Sequence, residues 1–433
     1  MKHKYKSILL ILIFAITLIS CNKDGADADI VSINPTSGTK ETIVTINGDG
    51  FGGSLRSVSV FFNGKEAEVI DVKNTVITAK VPEFANTGNI KIIVNGVEFI
   101  GPEFTYLFSD INASLIAGSG TPGLINATGA NARFNLPLRA AVDDADNIFV
   151  TDYANNIIRK ITPTGVVTTF AGSGATGSAD GTGINASFRQ PWGITIDSQN
   201  NLFVTDYGNH IIRKITPAGV VTTIAGLAGV SGNIDGLRNN ARFYNPSGIA
   251  IDSGDRIFIT DSQNHLIRMI KPNDGEVITF AGSSAGNTDG TIDAKFKRPF
   301  GIVIDSEDNL FIADTDNRRI RKITPNGIVS TFAGSNNGDV DGMGTEAKFG
   351  TIWGIAIDIH NNLFIPDNGN NKIKTIAPSG LVTTIAGTGT AGYLEGLGEN
   401  ALFKRPYGMA VDSENNLIVV DTYNHRIRKI TLK

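Results

Sequence analysis

From residue 111 onward one short signature, Ala-x-Phe, recurs six times, at Phe134, Phe188, Phe243, Phe296, Phe349 and Phe403. The spacings are 54, 55, 53, 53 and 54 residues. A unit repeated this regularly does not bury its own apolar face and must stack on its neighbours, so the period dictates an array. Each unit holds four apolar runs, in the second Gly193 to Asp197, Asn201 to Asp206, Ile211 to Ile215 and Val220 to Gly226. Four short strands per unit predict a propeller blade. The first run is almost continuously apolar, as expected of a strand packed on both faces by neighbouring blades. With 49 Gly, only four Met and many Ile, Val, Thr and Phe, the composition also predicts an all-β chain.

The sixth unit stops after its third strand, while Ser114 to Gly118 stands alone ahead of the first Phe as an unpartnered fourth strand. Pairing residues 112–117 with the last blade would close the ring and leave no open sheet edge. The expected propeller therefore has six four-stranded blades with a 3+1 closure and covers residues 111–433. The segment Asp206 to Ile215, with counterparts at Asn264-His265-Leu266 and Asn424-His425-Arg426, resembles the NHL-repeat family over this whole region.

Residues 30–107 carry strand-like runs at Thr42 to Ile46, Val58 to Phe62, Ala67 to Val72, Val76 to Val81 and Ile90 to Val94, punctuated by Asn-Gly, Gly-Gly and Thr-Gly. That spacing predicts an immunoglobulin-like sandwich. Ile33 to Gly38, Thr45 to Gly48, Gly50-Phe51-Gly52, Phe62-Asn63-Gly64 and Val81-Pro82 resemble the IPT/TIG family, which implies a spacer or interaction module.

The first 20 residues form an expected signal peptide: Lys2, Lys4 and Lys6 precede an apolar run from Ile8 to Ile19, too short for a mature membrane span. Leu18-Ile19-Ser20-Cys21 resembles a bacterial lipobox, which implies lipidation of Cys21, the sole cysteine. Residues 21–29 then form a lipidated tether, and Lys23-Asp24 is similar to surface-export signals of Bacteroidetes-type lipoproteins. The expected location is the outer membrane or cell surface of a Gram-negative bacterium, with a membrane as partner through the Cys21 anchor. Removal of residues 1–20 leaves 35 basic against 42 acidic residues, a charge of −7 that disfavours nucleic acid.

A ligand site on a sixfold ring must break the repeat, whereas a residue present in every blade serves what every blade needs. By that filter Asp152, Asp206, Asp261, Asp314, Asp367 and Asp421, each three residues before an Asn, are expected in Asx turns. Arg159, Arg213, Arg268, Arg321 and Arg428, with Lys374 as the exception, are expected to pair between blades. The Asp-Gly pairs at Asp180, Asp235, Asp289 and Asp341, with Glu395, are expected to form turns. His210, His265 and His425 occupy equivalent positions and stand too far apart to share a zinc. No metal site, cofactor or catalytic residue is expected.

What breaks the repeat is the residue that follows the Pro-equivalent position at the entry to the inner strand, occupied by Leu138, Trp192, Ser247, Phe300, Trp353 and Tyr407. Both tryptophans of the chain are there. Arg189, Lys297-Arg298 and Lys404-Arg405 lie beside them, and Arg139 replaces a Gly found in the other five blades. Trp192, Phe300, Trp353, Tyr407, Arg139, Arg189, Lys297, Arg298, Lys404 and Arg405 are thus expected to line a channel mouth that binds a carbohydrate or peptide. The alternative is an aromatic plug with solvated cations around it. Three functions follow: a non-catalytic surface binding protein, a protein-interaction scaffold, or a metal-dependent lyase or lactonase-like hydrolase.

Overall fold

The computed structural model describes residues 28–432 apart from 84, 86 and 292, so the expected signal peptide, Cys21 and most of the tether lie outside the described residues. No helix among the described residues is long and apolar enough to cross a membrane. Strands from Asp29–Asn34 to Val97–Tyr106 form one eight-stranded sheet wrapped into a barrel-like sandwich. Its core holds Val44, Ile46, Val60, Ile77, Ile90 and Ile92, with Phe62 and Phe104 edge to face at 5.0 Å.

Six further sheets form the propeller. In the second blade the inner strand Pro191–Ile196 pairs with Leu202–Asp206, which pairs with Ile211–Ile215, which pairs with Val220–Ala225. The strand Asn112–Ala117 joins the last blade beside Arg426–Thr431, with Leu115 opposite Arg428 and Ala113 opposite Ile430, and completes the ring in the expected 3+1 manner. Phe108, between the domains, packs on both the sandwich core and the core shared by blades five and six. Around it Thr87 and Tyr106 of the sandwich meet Asn362, Ala377 and Leu381 of blade five. These blade-five residues lie at the end where Leu363 pairs with Ile376, opposite the end where Asp367 pairs with Lys372. The sandwich therefore sits away from the inner-strand lead-ins.

The repeat signature has one physical cause. The Arg213 guanidinium is fully buried, stacks 5.0 Å from the Phe188 ring, and donates to Asp206 at 3.0 Å and Asp180 at 2.9 Å. It also donates to the carbonyls of Ser187 and Ala179. Asp206 in turn accepts from Asn209 and from the Arg189 backbone N–H, and burial pushes its carboxyl up to about 6. Arg159, Arg268, Arg321 and Arg428 repeat the stack on Phe134, Phe243, Phe296 and Phe403. The expected Asp–Asn turn bond is present, but two expectations are corrected. The arginines pair within their own blade and its lead-in rather than between blades, because strands two and three place Asp and Arg side by side. The Asp-Gly carboxylates at 180, 235 and 289 serve that guanidinium rather than merely shaping turns.

The residue after each Asp–Asn turn adopts positive φ in all six blades, and in five of them it also ties its blade to the next. His210, His265 and His425 each accept through Nδ1 the backbone N–H of the next lead-in, at Asn245, Arg298 and Leu136, all at 3.1 Å. Asn156 and Asn371 make the same contact through Oδ1, to Gln190 and Arg405. Burial lowers all three imidazoles, assisted by Arg189 at His210 and by Lys404 and Arg426 at His425; at His265, Asp316 opposes Arg298 and Lys297. With folded values below the ordinary 6.5, the unfolded chain takes up protons first, so this stability is present above about pH 6.5 and lost as pH falls below it. The buried aspartates raised to about 6 act in the opposite sense over the same range, so the imidazoles are read by difference: in calorimetric melting from pH 7.5 to pH 5 the midpoint of the triple change H210N/H265N/H425N should gain on that of the unchanged protein as pH falls. An equal slope in the variant would rule the imidazoles out as a source of pH dependence.

Candidate functional site

The six residues after the Pro-equivalent position do converge on the axis. Leu138, Trp192 and Phe300 are buried there with Trp353, Tyr407, Tyr153 and Tyr207 packed around them. Trp192 is only 8% exposed and lies 5.2 Å from Phe300 and 5.9 Å from Trp353. This is a plug, and its inner part presents no free aromatic face. Behind it a channel of about 320 Å³ runs between apolar inner strands, with Arg139 the one charged residue on its wall.

Arg139 is held by the plug's backbone. In blades one to three a strand-two threonine donates to the carbonyl of the next blade's mouth residue: Thr151 to Trp192, Thr205 to Ser247 and Thr260 to Phe300, at 2.7 to 2.8 Å. Blades four, five and six carry Ala313, Pro366 and Val420 there and have no such hydroxyl. The Arg139 guanidinium supplies the missing donors, to Trp353, Tyr407 and Leu138. Its burial lowers its pKa to about 10, still cationic at neutral pH. Glycine stands at this position elsewhere because the next carbonyl occupies the space a Cβ would need, 2.1 Å away at Gly193. Arg139→Gly would leave three buried carbonyls without donors, and we expect it to cost on the order of 3 kcal/mol in urea unfolding, against an unchanged midpoint if the side chain were solvated.

The repeat breaks most sharply at blade five. Gly350 stands where other blades have Asn135, Arg189, Tyr244, Lys297 and Lys404, and Gly369 where they have Ala154, Gly208, Gln263, Asp316 and Tyr423, so blade five alone has glycine at both positions. The two glycines touch: a Cβ on Gly369 would lie 2.4 Å from the Thr351 nitrogen, and one on Gly350 2.9 Å from the Gly369 Cα. Thr351 replaces a residue that adopts positive φ in every other blade, at Leu136, Gln190, Asn245, Arg298 and Arg405. A β-branched side chain disfavours that region, so the lead-in follows another path and the inner strand shortens to Ala356–Ile357.

The space so vacated is a pocket of about 540 Å³ between blades five and six. Trp353 and Tyr407 stack at 5.4 Å and 17°, and Tyr407 and Tyr423 continue the strip at 6.2 Å and 28°. Burial pushes the Tyr407 hydroxyl up to about 12, so this ring is neutral. Lys404 and Arg405 form the rim, Arg405 lying over the Tyr423 ring at 5.2 Å. Neither is in an ion pair among the described residues, and no carboxylate, imidazole or thiol lines the pocket.

Asn368 is the buried member of the wall. At this position Ser262 and Thr422 donate their hydroxyls to the next blade's proline carbonyl, at Pro299 and Pro137. Asn368 makes no equivalent bond: it is 6% exposed and its Nδ2 has no acceptor among the described residues.

Of the ten residues expected to bind ligand, Trp353, Tyr407, Lys404 and Arg405 share this pocket. Trp192 and Phe300 lie in the plug, Arg139 is satisfied at the axis, and Arg298 covers Phe300 and Trp353 at 5.3 and 5.7 Å while paired with Asp316. Arg189 and Lys297 are exposed in other sectors, with their backbone N–H groups on Asp206 and Asp314. Asn368, Tyr423, Thr351 and Asn371 were missed. The paired departures Gly350 and Gly369 were the signal that could have found them.

Family models match residues 28–108 as an IPT/TIG domain and residues 188–215, 243–268 and 403–430 as NHL repeats. The chain carries an IPT/TIG domain and NHL repeats. The matched NHL segments fall in blades two, three and six, the blades with His210, His265 and His425, and not in blade five, where the pocket opens. Human NHL repeat-containing protein 2 is 29% identical over 341 residues, covering 69% of this chain and 46% of that protein. The chain thus spans about half the length of this curated relative. Two solved structures cover 94% of the chain, and 98% of each is covered in return: a protein of unknown function from Bacteroides thetaiotaomicron (TM-score 0.62, 21% identity) and an auxiliary nutrient binding protein from Bacteroides ovatus (TM-score 0.58, 20% identity). At these identities the likeness is one of fold, here of sandwich and NHL propeller together.

Proposed function

We propose that the protein is a non-catalytic binding protein, anchored to a membrane through Cys21, that holds a carbohydrate in the pocket between blades five and six. The observation that carries this reading is the stacked strip Trp353–Tyr407–Tyr423, open to a pocket at the one blade where the repeat withdraws its side chains. The apolar ring surface left open to the pocket can pack against the apolar face of a sugar, each such contact being worth about 0.5–1.5 kcal/mol. With no carboxylate, imidazole or thiol in its wall, the pocket has the means to hold a ligand and not the usual means to cleave it. The fold it shares with the Bacteroides ovatus auxiliary nutrient binding protein supports the same reading.

The arrangement of domains favours presentation. The sandwich meets blade five at the end away from the pocket, so a chain tethered by its N-terminus turns the pocket outward. Cell-surface placement in a Gram-negative bacterium follows from this reading and from the lipobox. Detergent phase partitioning of the expressed full-length chain should place it in the detergent phase, and Cys21→Ser should move it to the aqueous phase; an unmoved variant would refute the anchor.

Titration of the soluble protein, starting after Cys21, with a panel of neutral and acidic oligosaccharides should give a saturable change in tryptophan fluorescence. In Trp353→Ala, calorimetry should show affinity reduced by about tenfold or more, the equivalent of losing one stacking partner of a bound ring at the upper end of its range. Undiminished affinity in that variant would remove the pocket from consideration.

A further inference from the structure

The pocket's polar groups name the chemistry of its ligand more closely than its aromatic strip does. Resting on the carbohydrate reading above, we propose that the site selects an acidic saccharide, one whose ring carboxylate sits between Lys404, Arg405 and Asn368.

Three independent features converge on this. The rim cations are uncommitted: Lys404 and Arg405 lie in no ion pair among the described residues, whereas nearby Lys372 is bound to Asp339 at 2.6 Å and Arg298 to Asp316 at 3.7 Å. The wall has donors and cations but no carboxylate, on a chain whose formal charge is −4, so its local sign is opposite to that of the molecule. The Asn368 amide is a buried donor with no acceptor, at a position where blades three and six use a hydroxyl already committed to the neighbouring carbonyl. A buried amide N–H left without an acceptor costs about 1–3 kcal/mol, which an acceptor on the ligand would recover. A carboxylate accepts from the amide and from the two cations at once, through charge-assisted bonds stronger than those to a neutral hydroxyl. The ring bearing it would lie along the open edge of the Trp353–Tyr407–Tyr423 stack, whose inter-ring angles are 17° and 28°.

The substitutions that test this leave the frame intact, because Lys404 and Arg405 hold the fold through their backbone N–H groups, to Asp421 and Asn371. Asn368→Thr installs the residue that blades four and six already carry, Thr315 and Thr422. The probes are two matched pairs: trigalacturonate with its methyl ester, and a hyaluronan hexasaccharide with its carboxyl-reduced form, measured by calorimetry on the soluble protein.

At least one acid should bind about tenfold or more tighter than its neutral partner. That ratio should collapse to near unity in K404Q/R405Q and shrink in Asn368→Thr, where the acid should lose more affinity than its neutral partner. Raising salt to about 0.3 M should weaken the acid alone. Neutral forms binding as tightly as the acids, or a ratio retained in K404Q/R405Q, would overturn the selectivity and leave the carbohydrate site standing. Absence of binding by both acids would overturn the selectivity; if the wider neutral panel were also silent, the carbohydrate reading would fall with it.

Discussion

Five of the six blades are organised around a guanidinium that has been taken out of water. Removing a charge from solvent costs several kcal/mol unless it is paired and hydrogen-bonded, and five blades meet that need in closely similar ways, binding both terminal nitrogens while Nε has no acceptor among the described residues. The strand-two aspartate, two lead-in carbonyls and the signature phenylalanine surround the arginine, joined by a lead-in side-chain acceptor in blades one to four, which is why those residues recur together at a fixed period. Because the partners come from both the sheet and the loop before it, the tie also fastens a long, otherwise irregular segment to the blade that follows. Blade five manages with Lys374, which reaches Asp341 and Asp339 and leaves Asp367 to the backbone of Gly350. The pocket lies at the mouth of the blade with the weakest version of this tie.

The same economy of donors governs the axis. Six carbonyls point inward where glycines allow the strands to approach, and each needs a partner. Three receive a threonine hydroxyl and three share one arginine, so Arg139 owes its place to polar satisfaction and not to a ligand. Once the plug is closed, the channel mouth has little free surface, and the site moves outward to the gap between blades five and six.

Much of this was legible in the linear chain. The period, the four runs per unit and the stray strand at residues 112–117 specify six blades and their closure, because strand count and edge pairing follow from local pattern. The recurrence of Asp, Arg and His marked them as structural, which their burial and bonding explain. Their partners were not legible: that Arg213 would reach Asp180, 33 residues earlier, depends on how the lead-in folds back over its blade. The candidate site was seen in part, since tryptophan, tyrosine and paired cations stand out in a sequence. Asn368 and Tyr423 did not, being ordinary residues made notable only by what their counterparts do in the other blades.

Composition and periodicity alone determine an all-β chain with a sandwich followed by a six-bladed ring, because apolar spacing sets which faces must be buried whatever the details of packing. Only the tertiary structure decides which aromatics plug the axis and which stay open, since that turns on whether a lead-in bends inward or is displaced. At blade five Thr351 avoids the left-handed backbone the other blades adopt, Gly350 and Gly369 close on each other, and the volume they give up becomes the pocket.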